Sequence, residues 1–166
     1  TFNFASAAEL ADDVTVDGGA DTDTITMNTA DAALALVDTD FTDVTLVENL
    51  DLAGTGTQAV TLGTNTDASF ENGVTITTDA TATSLNLQGA LSAVSIDATG
   101  TNNADTLVGG TVADTLTGGS GNDTITGGAG ADELAGDAGD DTFNFASAAE
   151  LADDVTVDGG ADTDTI

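Results

Sequence analysis

Aspartate recurs every nine residues, from Asp105 through Asp114, Asp123 and Asp132 to Asp141. Two positions after each stands an apolar residue: Leu107, Leu116, Ile125, Leu134 and Phe143. Glycine pairs come before the aspartates at Gly109-Gly110, Gly118-Gly119 and Gly127-Gly128. Each unit therefore divides into a six-residue polar turn and a three-residue strand. In Thr124-Ile125-Thr126 the isoleucine points inward and both threonines outward, the period-2 alternation of a half-buried strand. Glycine supplies the positive φ that closes so tight a turn. Two units bring the chain back to its starting side, so residues 18 apart are expected to stack about 4.8 Å apart in neighbouring coils of a parallel β-solenoid. Leu107, Ile125 and Phe143 should form one inward ladder, and Leu116 and Leu134 the opposite one.

The same stacking sets carboxylate on carboxylate: Asp105, Asp123 and Asp141 on one edge, Asp114 and Asp132 on the other. The chain holds 30 Asp and Glu, no Lys, Arg or His, and a formal charge of −30, so it has no side-chain cation with which to neutralise them. A cation from outside is the expected partner. Hard carboxylate and carbonyl oxygens suit Ca²⁺, which takes six to eight ligands at about 2.3–2.6 Å, better than Mg²⁺ with its strict octahedron. Transition metals would recruit His or Cys, and neither occurs. The same absences exclude other functions. Nucleic-acid affinity rests on Lys and Arg, and Schiff-base or imidazole catalysis needs groups this chain lacks. No disulfide or thiolate chemistry is open to it. No 18-residue apolar run predicts a membrane span. Strong charge with 4% aromatic residues could describe a disordered polyanion. The regular spacing of Val, Ile and Leu argues for a fold that forms once cations are supplied.

Residues 118–126, GGSGNDTIT, and 127–135, GGAGADELA, resemble the GGxGxDxUx nonapeptide of the RTX (repeats-in-toxin, haemolysin-type) calcium-binding proteins. The resemblance implies a right-handed parallel β-roll in which turns of successive coils hold Ca²⁺. Carried onto this chain, it makes Asp114, Asp123, Asp132 and Asp141 side-chain ligands, with Asp105 at the head of the stack. The turns would give carbonyls from Gly118, Ser120, Gly121, Gly127, Ala129 and Gly130. A separate copy, GGADTDTIT at residues 18–26, adds Asp21 and Asp23 as candidate ligands. Val112 stands at a fourth-position glycine, Asp137 at a second-position one, and Asp21 again at the fourth.

A longer period contains the short one. Residues 1–25 and 142–166 are letter for letter the same, so that Thr1 corresponds to Thr142 and Ile25 to Ile166. A tandem array with a 141-residue repeat is the economical reading, with this chain covering one period plus an overlap. The expected organisation is the end of a preceding RTX block plus connector over 1–26, a variant β-solenoid segment over 27–100, the RTX β-roll over 101–145, and the start of the next repeat over 146–166. Strands are predicted near 44–47, 50–52, 59–62, 74–76, 84–87 and 93–96; a separate β-sandwich is the alternative for this stretch. Short covering helices are predicted at 6–11, capped by Ser6 or Asn3, and at 31–37. With 18-residue coils throughout, one period would rise roughly 35–40 Å.

The function that follows is structural and non-enzymatic: a calcium-dependent repeat unit of a secreted bacterial fibre, filament or surface-layer-like assembly. Its partners would be Ca²⁺ and identical neighbouring repeats, and its place extracellular. The alternative is the stalk of a calcium-dependent RTX adhesin. Further off stand an ice-binding solenoid, since outward Thr pairs fail to stack in register, and the C-terminal folding domain of a secreted hydrolase.

Overall fold

The computed structural model describes residues 1–12, 15–28, 33–53, 56–63, 70, 74–78, 83–86, 94–97 and 103–166. The chain is mostly strands with few helices. In chain order come β1 (Phe2–Phe4), α1 (Ala7–Asp12), β2 (Val16–Asp17), β3 (Thr24–Met27), β4 (Leu34–Leu36), a 3₁₀ helix (Asp38–Phe41), β5 (Val44–Thr45), β6 (Asn49–Leu52) and β7 (Gln58–Thr61). Then follow β8 (Val74–Thr78), β9 (Thr83–Asn86), β10 (Val94–Asp97), β11 (Thr106–Val108), β12 (Thr115–Ser120), β13 (Thr124–Thr126), β14 (Glu133–Ala138), β15 (Thr142–Phe143), α2 (Ala148–Asp153) and β16 (Thr156–Asp158).

The strands alternate between two parallel sheets. The first has the order β1-β3-β6-β8-β10-β12-β14-β16 and the second β15-β13-β11-β9-β7-β4, while β2 and β5 pair by themselves. The strands predicted near 50–52, 59–62, 74–76, 84–87 and 93–96 join the same two sheets as the nonapeptide strands, whereas the one predicted at 44–47 forms only over Val44–Thr45 and pairs with β2 instead; the predicted strand ends Leu87 and Ala93 lie outside the described residues. Leu107, Ile125 and Phe143 stack in register in the second sheet, and Leu116 and Leu134 in the first. Only here is the spacing that of two nonapeptides. Leu50 lies on Ile25 and Ile76 on Leu50, so each passage around the N-terminal coils takes more chain. The uniform 18-residue spacing therefore does not extend to the N-terminal strands of the first sheet.

Inward residues of both sheets form one buried cluster. Ile25, Leu50, Ile76, Leu116 and Leu134 of the first sheet, and Leu36, Val60, Leu107, Ile125 and Phe143 of the second, are at most 2% exposed. The core is wider in the N-terminal half, where Phe41 and Phe70 meet with ring centroids 5.7 Å apart.

The helix predicted at 6–11 is α1. Ser6 caps it, its Oγ accepting the Glu9 N–H at 3.1 Å, while the Glu9 carboxylate accepts the Ala5 N–H. The helix predicted at 31–37 is not formed where the structure describes it: residues 34–36 are strand β4, paired with β7. Asp31 and Ala32 lie outside the described residues. Leu34 and Leu36 are buried and Ala35 is exposed, a period of two. So short a helix gains too few internal hydrogen bonds to offset its nucleation, whereas a strand placed beside β7 obtains a ladder at once. Among the described residues no helix is long and apolar enough to cross a membrane.

Candidate metal centre

Each repeating aspartate sits one residue before a strand, and the neighbouring coil bonds it on two sides. The Asp105 N–H donates to the Asp123 Oδ1 at 2.7 Å, and the Asp123 N–H to the Asp141 Oδ1 at 2.8 Å. The Asp105 and Asp123 carbonyls accept the N–H of Thr124 and Thr142, both at 2.9 Å. On the other edge the Asp114 N–H donates to the Asp132 Oδ1 at 2.9 Å, and the Asp114 carbonyl accepts the Glu133 N–H at 2.9 Å. The nonapeptide strand is too short to lock a register by itself. The aspartate adds two bonds per coil at the point where turn becomes strand.

Two rungs lie beyond the nonapeptides. The Asp141 N–H donates to Asp164 Oδ1 at 3.0 Å, and the Asp132 N–H to Asp154 Oδ1 at 3.3 Å. Neither residue is among the sequence candidates. Asp164 lies within reach of sequence reasoning, because it is the counterpart of Asp23 in the second copy of the long repeat. Asp154 follows Asp132 by 22 residues, with α2 in between, so no nine-residue count reaches it.

Burial separates the two carboxylate oxygens. Asp105, Asp114, Asp123, Asp132 and Asp141 are all at most 3% exposed. The Oδ2 atoms of Asp123, Asp132, Asp141 and Asp154 are buried without any hydrogen-bond partner. A buried, unpaired carboxylate oxygen carries a large desolvation cost. Burial is accordingly the main cause that raises the Asp123 carboxyl to about 6, with the charges of Asp105 and Asp141 adding to it and the Asp105 N–H opposing. Asp132, Asp141 and Asp154 are raised in the same way, by burial first, against the hydrogen bonds from Asp114, Asp123 and Asp132.

Glycine shapes this arrangement in two ways. At the first turn position a Cβ would collide with the turn's own aspartate: Gly118 with Asp123 Oδ2, and Gly127 with Asp132 Oδ2 at 2.5 Å. The space is needed by the carboxylate. At the fourth position Gly130 has φ 146°, and a Cβ there would meet the Val112 carbonyl oxygen of the preceding coil at 2.5 Å. Asp137 and Asp21 stand where glycine is expected and adopt φ of 72° and 75°, which aspartate tolerates better than most residues.

Gly121, Gly127, Ala129 and Gly130 lie in the turns between the two sheets, but Gly118 and Ser120 belong to β12, which like β14 runs six residues rather than the three expected, because its pairing with β14 continues through Gly119 and Ser120. There the Gly121 N–H donates to the Ala138 carbonyl and the Ala129 N–H to the Gly110 carbonyl. The turn carrying Val112 differs. Gly110 has no positive φ, and its N–H donates to Asp114 Oδ2 at 2.7 Å. Asp114 therefore does not share the bare Oδ2 of Asp123 and Asp132. Asp23 lies far along the chain from the nonapeptide ladders. Its N–H donates to the Glu48 carboxylate at 2.8 Å, the same device with a glutamate one coil on. Asp21 is exposed.

Among the described residues, no three carboxylates converge on a point. Paired edges with a bare oxygen on Asp123, Asp132, Asp141 and Asp154, beside turns rich in carbonyls, form an all-oxygen donor set without nitrogen or sulfur side chains. That set fits Ca²⁺, and Asp123, Asp132 and Asp141 with the turn carbonyls would hold it. The ion would supply the positive charge that these buried oxygens lack.

The family model of the RTX calcium-binding nonapeptide repeat matches residues 99–133 and 108–143, in four copies. No curated protein and no solved structure matches the chain. The two ladders of buried aspartate thus coincide with a recognised repeat: residues 99–143 of this chain are RTX calcium-binding nonapeptide repeats, which bind Ca²⁺.

Proposed function

We propose that this chain is a structural, non-enzymatic repeat unit that folds on binding Ca²⁺ outside the cell and builds a fibre, filament or surface-layer-like assembly of a secreted bacterial protein. The two sheets are then the walls of a right-handed β-solenoid. Residues 101–145 form its calcium-loaded part, 27–100 its variant part, and 1–26 and 146–166 the joints between repeats. Asp105, Asp114, Asp123, Asp132 and Asp141 hold the ions with the turns at 118–121 and 127–130, and Asp21 and Asp23 mark the same turn in the joint.

The observation that carries this reading is the row of buried Oδ2 atoms without partners in a chain of charge −30. Without a cation each rung sets a desolvated carboxylate near another of like charge, so the metal-free chain stays extended. Extracellular Ca²⁺ at about 10⁻⁴–10⁻³ M, the range of extracellular modules, supplies the missing folding free energy. The exact recurrence of the sequence 1–25 at 142–166 supports the array, because a repeating fibre needs the same joint at each period.

Circular dichroism of the chain titrated with CaCl₂ tests the coupling. A strand spectrum should emerge cooperatively with calcium and vanish with chelator. An unchanged spectrum would overturn calcium-driven folding.

A further inference from the structure

Residues 1–25 and 142–166 are one sequence in two settings. In the first, Leu10 of α1, Val16 of β2 and Ile25 of β3 are 2%, 3% and 0% exposed. The stretch 34–52 covers them. α1 packs on the 3₁₀ helix and on β4. The N–H groups of Val16 and Gly18 donate to the carbonyls of Asp43 and Thr45 at 2.9 and 3.0 Å. Ile25 pairs with Leu50, and the Asp23 N–H is held by Glu48.

In the second setting the cover is missing. Leu151, the counterpart of Leu10, is 37% exposed, Val155 is 72% exposed, and Val157 is only partly buried. The other side of this segment is already seated: Val157 pairs with Leu134, and Phe143 with Ile125. The 147–166 segment therefore has one packed side and one open apolar side, and the same letters elsewhere in the molecule display what fits the open one.

We propose that the face formed by residues 147–166 docks a second copy of residues 26–52, in the manner in which residues 34–52 cover Leu10, Val16 and Ile25. The inference rests on the array reading above and gives its joint a definite form. The registers also fix how the incoming copy is turned. From Phe2 the chain returns to the first sheet at Ile25, Leu50, Ile76, Ile96, Leu116 and Leu134. Phe143, the counterpart of Phe2, comes nine residues after Leu134 but lies in the second sheet. One 141-residue period thus spans six coils and a half, and the second copy enters on the opposite wall, rotated by about half a turn.

The chain has no cysteine, so a single introduced thiol reports cover by its alkylation rate in calcium buffer. Leu10→Cys and Leu151→Cys are compared in the 166-residue chain, and Leu151→Cys again in the full chain followed by a second copy of residues 26–166. Leu151→Cys should react at least tenfold faster than Leu10→Cys in the first chain and slow to its rate in the extended one. Val44→Asp made only in the added copy should restore the fast reaction. A Leu151→Cys thiol that reacts equally fast in both chains overturns the docking. Protection that survives Val44→Asp assigns the cover to something else and overturns it too. Equal fast reaction of Leu10→Cys and Leu151→Cys in the 166-residue chain would instead sink the pairing of 1–25 with 34–52, and with it the coil reading beneath.

Discussion

Asp123 uses its two carboxylate oxygens differently: Oδ1 accepts the Asp105 N–H, and Oδ2 is buried without a partner. Asparagine can keep the first role and give up the charge. Asp123→Asn should therefore weaken calcium binding by on the order of tenfold or more, about 1.4 kcal/mol per tenfold. It should also raise strand content in calcium-free buffer, because a repulsive rung is removed. Calorimetry for calcium and circular dichroism without it check the two halves; unchanged affinity would remove Asp123 from the ligand set. Protons offer a second way to neutralise the rung. The Asp123 carboxyl titrates near 6 in the fold against an ordinary 3.8, so the metal-free fold takes up a proton that the unfolded chain releases. That contribution is complete below about pH 4 and lost as pH rises through 6. Lowering a calcium-free sample from pH 7 to pH 5 should increase its strand signal, and over the same window calcium affinity should fall. Identical calcium-free spectra at both pH values would contradict the assignment. The aspartates themselves are readable from their nine-residue spacing. The division of labour between Oδ1 and Oδ2 is not, because it depends on the neighbouring coil's N–H. First-position glycine likewise reads as a turn residue in sequence, yet it makes room for a carboxylate.

At the scale of elements, the same AAELAD helix has two energetic values. α1 buries Leu10 beneath the 3₁₀ helix, while α2 leaves Leu151 37% exposed. In the calcium-loaded 166-residue chain Leu10→Ala should cost about 2–5 kcal/mol, the range for emptying a buried leucine site. Leu151→Ala should stay within about 0.5 kcal/mol, as exposed substitutions do. Denaturant unfolding of the two variants measures the difference, and equal losses would contradict the structure. Helix α1 is legible through Ser6 and Glu9, a local capping signal. Strand β4 is not, because ALAL satisfies both periods over so few residues and the decision comes from β7 alongside. Strands β7 and β8 fall close to their predicted places, since alternation of apolar and polar residues persists even where the turns lengthen.

Over the whole molecule, coil number replaces residue number as the measure of length. Six and a half coils at about 4.8 Å give a rise of about 31 Å per 141-residue period. Because each period turns the joint to the opposite wall, a fibre of such repeats should return to the same orientation only after two periods, about 62 Å. Fibre diffraction or image averaging of an assembled array should show this doubled spacing; an orientation that recurs at every single period would contradict the half-turn. The sequence by itself determined the nine-residue rung, the need for cations and the identity of the two ends. Each of these rests on spacing or composition along one stretch of chain. Tertiary structure decided the rest: that Asp154 and Asp164 complete the ladders, that Asp114 turns its Oδ2 toward Gly110, and that Glu48 serves as a rung for Asp23. It also decided that Leu10 is buried while its counterpart Leu151 is 37% exposed, and that Phe143 is more buried than its counterpart Phe2. Those outcomes depend on which residue each coil sets beside its neighbour, and the length of a coil is settled only when both walls are packed.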